Sequence, residues 1–223
     1  MKMTIHERIA AKKLIAIVRG VAPSAMEPLA EALYAGGIQL LEVTFDQSGG
    51  CPAEKTAETI AALSRRMEDR MAVGAGTVLT KAQVHLARQA GAQFTLSPNT
   101  DPEIIRETKR LQMLSLPGAF TPSEVQCAYA AGADLVKLFP AEALGTDYIR
   151  ALLAPLAHIP VLAVGGINEK NIPAYLDAGV CGFGVGSTLV RREWIAQGRF
   201  SELTALAQRY TQSIEDWAYV HSH

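Results

Sequence analysis

Short apolar runs recur along the whole chain, separated by longer stretches in which apolar residues return every three or four positions. The runs are LIAIVRG from Leu14, AGGIQLLEVTF from Ala35, MAVGAGT from Met71, AGAQFTLSP from Ala90, QMLSLPG from Gln112, AGADLVKLFP from Ala131, PVLAVGG from Pro160 and AGVCGFGVGS from Ala178. Brief and apolar on both faces, they predict buried parallel strands. Four of them open on Ala-Gly, where glycine's left-handed conformation closes a helix, so each of these marks a helix-to-strand junction. The intervening stretches have helical spacing and good starts: Pro23-Ser24, Thr80, Asp101-Pro102, Thr121-Pro122-Ser123, and Asn168 as a cap before EKNIPAYLDA. MKMTIHERIAAKK predicts an N-terminal helix and FSELTALAQRYTQSIEDWAYV a C-terminal helix that closes the ring. Eight strands alternating with eight helices predict a closed parallel (β/α)8 TIM barrel, an α/β fold, as a single domain over residues 1–223. A doubly wound open sheet is the competing architecture. The barrel is preferred because no GxGxxG follows the first strand and no break in composition separates a second domain.

Composition narrows the functional classes. A net charge of −1, with 49% hydrophobic and 19% charged residues, argues against a polyanion partner or a disordered tail, so nucleic acid is not an expected ligand. The three cysteines, Cys51, Cys127 and Cys181, lack metal-ligand spacing and read as buried thiols in a reducing cytosol. No uninterrupted apolar run reaches the roughly 18 residues of a membrane span, and the first residues lack a signal's apolar centre. The expectation is a soluble, cytoplasmic chain with no membrane partner.

One polar residue breaks the pattern of buried strands. Lys137 sits in the middle of LVKLFPAE, where an unpaired ammonium would cost several kcal/mol. A lysine there is either paired or chemically used, and a desolvated amine is the form that attacks a carbonyl. Barrels carry their reactive groups at the carboxyl ends of strands. The period of two along a strand places Glu42 with Leu40 and Thr44 on one face and Lys137 with Leu135 and Phe139 on another, so Glu42 and Lys137 can share the interior. A structural ion pair is the plain alternative; the hydroxyls of Thr44 and Thr77 and the guanidinium of Arg19 make the cluster larger than packing calls for. Arg19 also fits a rim ion pair, and Thr77 also fits a helix cap. Gly165-Gly166 and Gly186-Ser187 end the seventh and eighth strands, where exposed amides at a helix start hold phosphate in such barrels. Small residues that let helix and strand pack closely are the alternative.

In this order the motifs resemble the 2-keto-3-deoxy-6-phosphogluconate (KDPG) aldolases, which often also cleave 4-hydroxy-2-oxoglutarate (KHG). LEVTF around Glu42, VGAGTVLT around Thr77, GAQFTLSP, LPGAFTPSE around Pro117, LVKLFPAE around Lys137, and AVGGIN followed by GVGS carry the likeness over about residues 14 to 190. The resemblance implies a class I aldolase on a (β/α)8 barrel, usually a homotrimer, that needs no metal or other cofactor. It makes Lys137 the Schiff-base residue and Glu42 the general acid/base. Arg19, Thr44, Thr77, Pro117 and Phe139 would then bind a small 2-keto acid, and Gly165, Gly166, Gly186 and Ser187 its phosphate. Two positions depart from the pattern. Asp46 stands where some members have an arginine, which leaves the substrate carboxylate to Arg19 and Thr77. Ala163-Val164 replaces Pro-Thr and, with LIAIVRG, resembles the 2-keto-3-deoxy-6-phosphogalactonate branch, whereas FPAE resembles the gluconate branch. Phosphosugar isomerases, epimerases and non-catalytic sugar-phosphate binders share such barrels and remain alternative readings.

Overall fold

A computed structural model describes residues 3–221; Met1, Lys2, Ser222 and His223 of the expected domain lie outside the described residues. Helix α1 (Ile5–Lys12) starts with a capping box, in which Thr4 Oγ1 accepts from the Glu7 amide and the Glu7 carboxylate accepts from the Thr4 amide. The chain then alternates β1 (Leu14–Val18), α2 (Pro23–Ala35), β2 (Leu40–Thr44), α3 (Ala53–Met67), β3 (Ala72–Gly76), α4 (Lys81–Gln89), β4 (Phe94–Leu96) and α5 (Pro102–Arg110). It continues through β5 (Leu114–Leu116), β6 (Gly118–Ala119), α6 (Pro122–Ala130), β7 (Val136–Leu138), α7 (Ala141–Leu156), β8 (Val161–Val164), α8 (Ile172–Asp177), β9 (Gly182–Val185), α9 (Arg192–Ala196) and α10 (Phe200–His221). The predicted starts at Thr80, Asp101 and Thr121 are all made, each side chain accepting from backbone amides of its first turn. At the Ala-Gly junctions Gly91, Gly132 and Gly179 take φ of +84°, +101° and +99°. In the AGG copy the second glycine, Gly37, does so instead, at +90°.

All nine strands lie in one parallel sheet ordered β5-β4-β3-β2-β1-β9-β8-β7-β6. Its two end strands, β5 and β6, are separated in the chain by Pro117 alone, so the sheet curls into a nearly closed barrel. The eight expected strands become nine because the run from Gln112 divides at this proline. Pro117 has no N–H to extend the ladder, yet its carbonyl accepts from the Lys137 amide at 2.8 Å while Ser115 accepts from Asp134 at 3.0 Å. The same extended segment therefore meets β4 on one side and the β7 segment on the other.

Two apolar layers separate inside from outside. Ile15, Leu40, Ala72, Phe94, Leu96, Leu116, Leu135 and Leu162 fill the barrel interior, and Ile9 of α1 joins them from below as a floor. Alternate residues, such as Leu41 and Val43 or Val136 and Leu138, belong to the larger layer between sheet and helices. Arg8 anchors α1 by donating to the carbonyls of Arg70 (2.6 Å) and Asp69 (3.2 Å). On the outside, α10 lies on α2: Ala207 fills the space a Cβ at Gly36 would take, and Thr204 donates to the Ala32 carbonyl at 2.9 Å.

Two expectations are corrected. Helix α8 begins only at Ile172, because the Asn168 side chain accepts from the amides of Lys170 and Asn171 and folds a turn ahead of it. Cys51 and Cys127 are exposed and Cys181 is half-buried, since the first lies in the loop after β2 and the second on an outward turn of α6. Among the described residues no helix is long and apolar enough to cross a membrane.

Candidate active site

Leu40 and Leu135 point into the barrel, so two residues further along, Glu42 and Lys137 point inward one layer above the floor. Both are nearly sealed from solvent, at 2% and 9% exposure. Room for the carboxylate comes from β3, whose Gly74 and Gly76 pair with Glu42 and Thr44. A Cβ at Gly74 would strike the Phe94 ring, and one at Gly76 would overlap the Glu42 carboxylate. Thr44 Oγ1 donates to Glu42 Oε1 at 3.1 Å, whereas Glu42 Oε2 is buried with no partner among the described residues.

Burial dominates the titration of both groups. It holds the Lys137 amine below the usual lysine range, against the attraction of Glu42 and with help from Arg19. It lifts the Glu42 carboxyl above its usual range, against Lys137, the Thr44 hydroxyl and Arg19. Each is thus pushed toward its neutral form, and Glu42 keeps one oxygen free to exchange a proton. A saturated structural ion pair would leave no such oxygen. Lys137 Nζ lies 4.6 Å from the centroid of the Phe139 ring, and Pro117 occupies the adjoining strand position.

Over the ends of β1 and β2, and reaching out to α2 and α3, a cavity of about 750 Å³ is lined by Arg19, Thr44, Asp46, Gln47, Thr77 and Arg192 as well as by Pro23, Lys55 and Thr56. Arg19 Nη2 donates to Thr77 Oγ1 at 3.3 Å. Thr77 is held at φ +53°, a left-handed conformation costly for a β-branched residue, and Gln47 Nε2 donates to its carbonyl at 3.1 Å. Thr80, not Thr77, caps α4, and Thr77 lines the cavity beside Arg19. The Asp46 carboxylate folds the next loop by accepting from the amides of Ser48 and Cys51 and the Ser48 hydroxyl. Those hydrogen bonds hold its carboxyl below the usual range.

The glycine loops end the neighbouring strands. Gly165 and Gly166 take φ of +99° and +72°, and a Cβ on Gly166 would collide with the Glu142 side chain. Close packing against the turn after Phe139 thus accounts for part of their role. Asn171 Nδ2 donates to the Gly166 carbonyl at 2.9 Å, and Thr188 Oγ1 to that of Ile167 at 2.7 Å, which ties the two loops together. Among the described residues the amides of Gly166 and Ser187 donate to no backbone carbonyl.

A sequence model described as "Aldolase: KDPG and KHG aldolase" matches residues 5–206. The chain belongs to the KDPG and KHG aldolase family. It is accordingly a lyase. A probable 2-dehydro-3-deoxy-6-phosphogalactonate aldolase of Rhizobium meliloti is 37% identical over 81% of this chain and 82% of the relative. A 2-dehydro-3-deoxy-phosphogluconate aldolase of Treponema pallidum is 36% identical over 95% of this chain and 98% of its own length. Among solved structures, KDPG aldolase from Legionella pneumophila, with pyruvate captured at low pH as a covalent carbinolamine intermediate, superposes with a TM-score of 0.82. The two share 31% identity over 93% of this chain and 98% of that one.

In this aldolase the fold brings Arg19, Glu42, Thr44, Thr77, Lys137 and Phe139 to one end of the barrel, and the glycine loops to the adjoining strand ends. Sequence reasoning missed Gln47 and Arg192. Gln47 follows Asp46 in a stretch with no strand or helix pattern. Arg192 reaches the site from well beyond the eighth apolar run, and its only sequence signal was a second arginine after the strand's glycine and serine.

Proposed function

We propose that the chain cleaves a 2-keto-3-deoxy-6-phosphohexonate to pyruvate and glyceraldehyde 3-phosphate through a Schiff base on Lys137. The reading rests on one observation above the rest: a buried lysine held toward its neutral form beside a glutamate with an unpartnered oxygen. Neutral Lys137 attacks the C2 ketone; Glu42, entering in its protonated form, gives its proton to the carbinolamine hydroxyl, so that water leaves, an iminium remains and Glu42 becomes a carboxylate. Glu42 takes the C4 hydroxyl proton as the C3–C4 bond breaks, and the bonding pair passes into the iminium to form an enamine. The aldehyde departs, Glu42 returns its proton to C3, and hydrolysis of the new iminium frees pyruvate and the neutral amine, the proton released going back to Glu42. Thr44 orients Glu42, Arg19 and Thr77 take the substrate carboxylate, and Phe139 and Pro117 flank the iminium. The amides of Gly165, Gly166, Gly186 and Ser187 take the phosphate. In this reading β5 and β6 are two halves of one barrel position, so a single (β/α)8 domain carries the site. It works as a homotrimer, for which exposed Phe120 and Tyr148, stacked on each other, offer an apolar patch.

Borohydride added with pyruvate should fix a pyruvyl adduct on Lys137, located by peptide mass mapping. An adduct elsewhere, or none, overturns the assignment, as does aldol cleavage retained in Lys137→Arg. That variant keeps the charge but cannot form the imine.

The C4 configuration has a second reading. Val164 is buried at the end of β8, an apolar group where many gluconate enzymes place a threonine hydroxyl. This supports the galactonate epimer. Relative kcat/KM for the two epimers decides between them.

A further inference from the structure

The loop after β9 does more than present Gly186 and Ser187. Strands β9 and β1 are paired as far as Ala16 opposite Val185, so the segments that follow them leave the barrel from neighbouring positions. The β9 loop turns back on itself through bonds from Leu189 and Val190 to the Gly186 carbonyl. It thereby delivers Arg192 across the end of β1. There Arg192 Nε and Nη2 both donate to the Arg19 carbonyl, at 3.1 and 2.8 Å. The slot is built for it: Gly20 adopts φ +60°, and a Cβ on that residue would lie 2.7 Å from Arg192 Nη2.

The guanidinium so held lines the same cavity as Arg19 and Thr77. Nη1 has no partner and no carboxylate pairs with Arg192 among the described residues. The nearby Asp46 carboxylate is spent on its own loop. A fixed, uncompensated planar cation carried on the segment that begins with Ser187, five residues on, offers the fork that a phosphate group takes.

We infer that Arg192 is a specificity-determining residue that binds the terminal phosphate of the substrate together with the Ser187 loop, and so favours phosphorylated over unphosphorylated 2-keto-3-deoxy acids. This rests on the lyase reading above. Its test separates the phosphate from the imine chemistry by comparing cleavage of the phosphorylated substrate with deuterium exchange into the pyruvate methyl group, which needs no phosphate. In Arg192→Ala, kcat/KM for cleavage should fall about 10- to 100-fold, mainly through KM, and inhibition by inorganic phosphate should weaken by a similar factor. Pyruvate exchange should fall far less, and Arg192→Lys should lie between, because it restores the charge without the fork. Equal losses in exchange and cleavage would mean that Arg192 only latches Arg19, and that overturns the inference. So does an unchanged KM with unchanged phosphate inhibition. If wild-type Lys137 takes no pyruvate adduct, the lyase mechanism itself fails; if the adduct forms but phosphate inhibition is unmoved by Arg192→Ala, only the role of Arg192 fails.

Discussion

Lys137 and Glu42 are buried where neither gains from being charged, and on the proposed mechanism this sets the pH behaviour of the reaction. Imine formation needs the neutral amine. Because burial lowers the Lys137 pKa, the rate of pyruvate trapping should rise with pH to a plateau whose midpoint lies below the value of roughly 10.4 for a free lysine. Below that midpoint the neutral fraction, and with it the rate, falls about tenfold per pH unit. A midpoint at or above the free value, measured by rapid-quench trapping, would contradict a desolvated nucleophile. Both residues were legible in the sequence because a strand's period of two assigns faces without tertiary information. Arg192 was not, since its place depends on a carbonyl 173 positions away. The strain at Thr77 was equally hidden, being a backbone property that its neighbours Arg19 and Gln47 accompany.

At the level of elements, β3 shows how one strand serves both stability and chemistry. Its two glycines face inward at successive layers, Gly74 against the Phe94 ring and Gly76 against the Glu42 carboxylate. Their alanine variants should therefore differ in kind. Gly74→Ala overpacks the floor and should cost about 1–3 kcal/mol in denaturant unfolding. Gly76→Ala displaces the carboxylate and should lower kcat by on the order of 100-fold, a displacement of about 1 Å being enough for that. Activity equal to wild type in Gly76→Ala would show that Glu42 need not stand where it does. The apolar runs and side-chain caps made the order of elements readable from sequence. Two boundaries were not. The division at Pro117 depends on ladders with both neighbouring strands, and the late start of α8 follows from Asn168 bonding locally in preference to capping.

For the whole molecule, ring closure is shared between the Pro117 segment and α10. Tyr210 of α10 is fully buried, and Tyr210→Ala should destabilise the fold by about 3–5 kcal/mol, the usual cost of emptying an aromatic site. Thermal or denaturant unfolding measures it; a loss under 1 kcal/mol would mean that α10 is only an appendage. The curvature that joins first strand to last was an inference from counting units, and it took coordinates to show which contacts hold the seam. The floor built by Ile9 and the inner apolar layer has its own kinetic meaning. A vessel stopped at the bottom has a single door. On the proposed chemistry the pyruvate half is tethered deepest, so the aldehyde must leave first and pyruvate last. Returning pyruvate meets an empty chamber and should inhibit competitively with the sugar acid, whereas the aldehyde meets one still holding the enamine and should not.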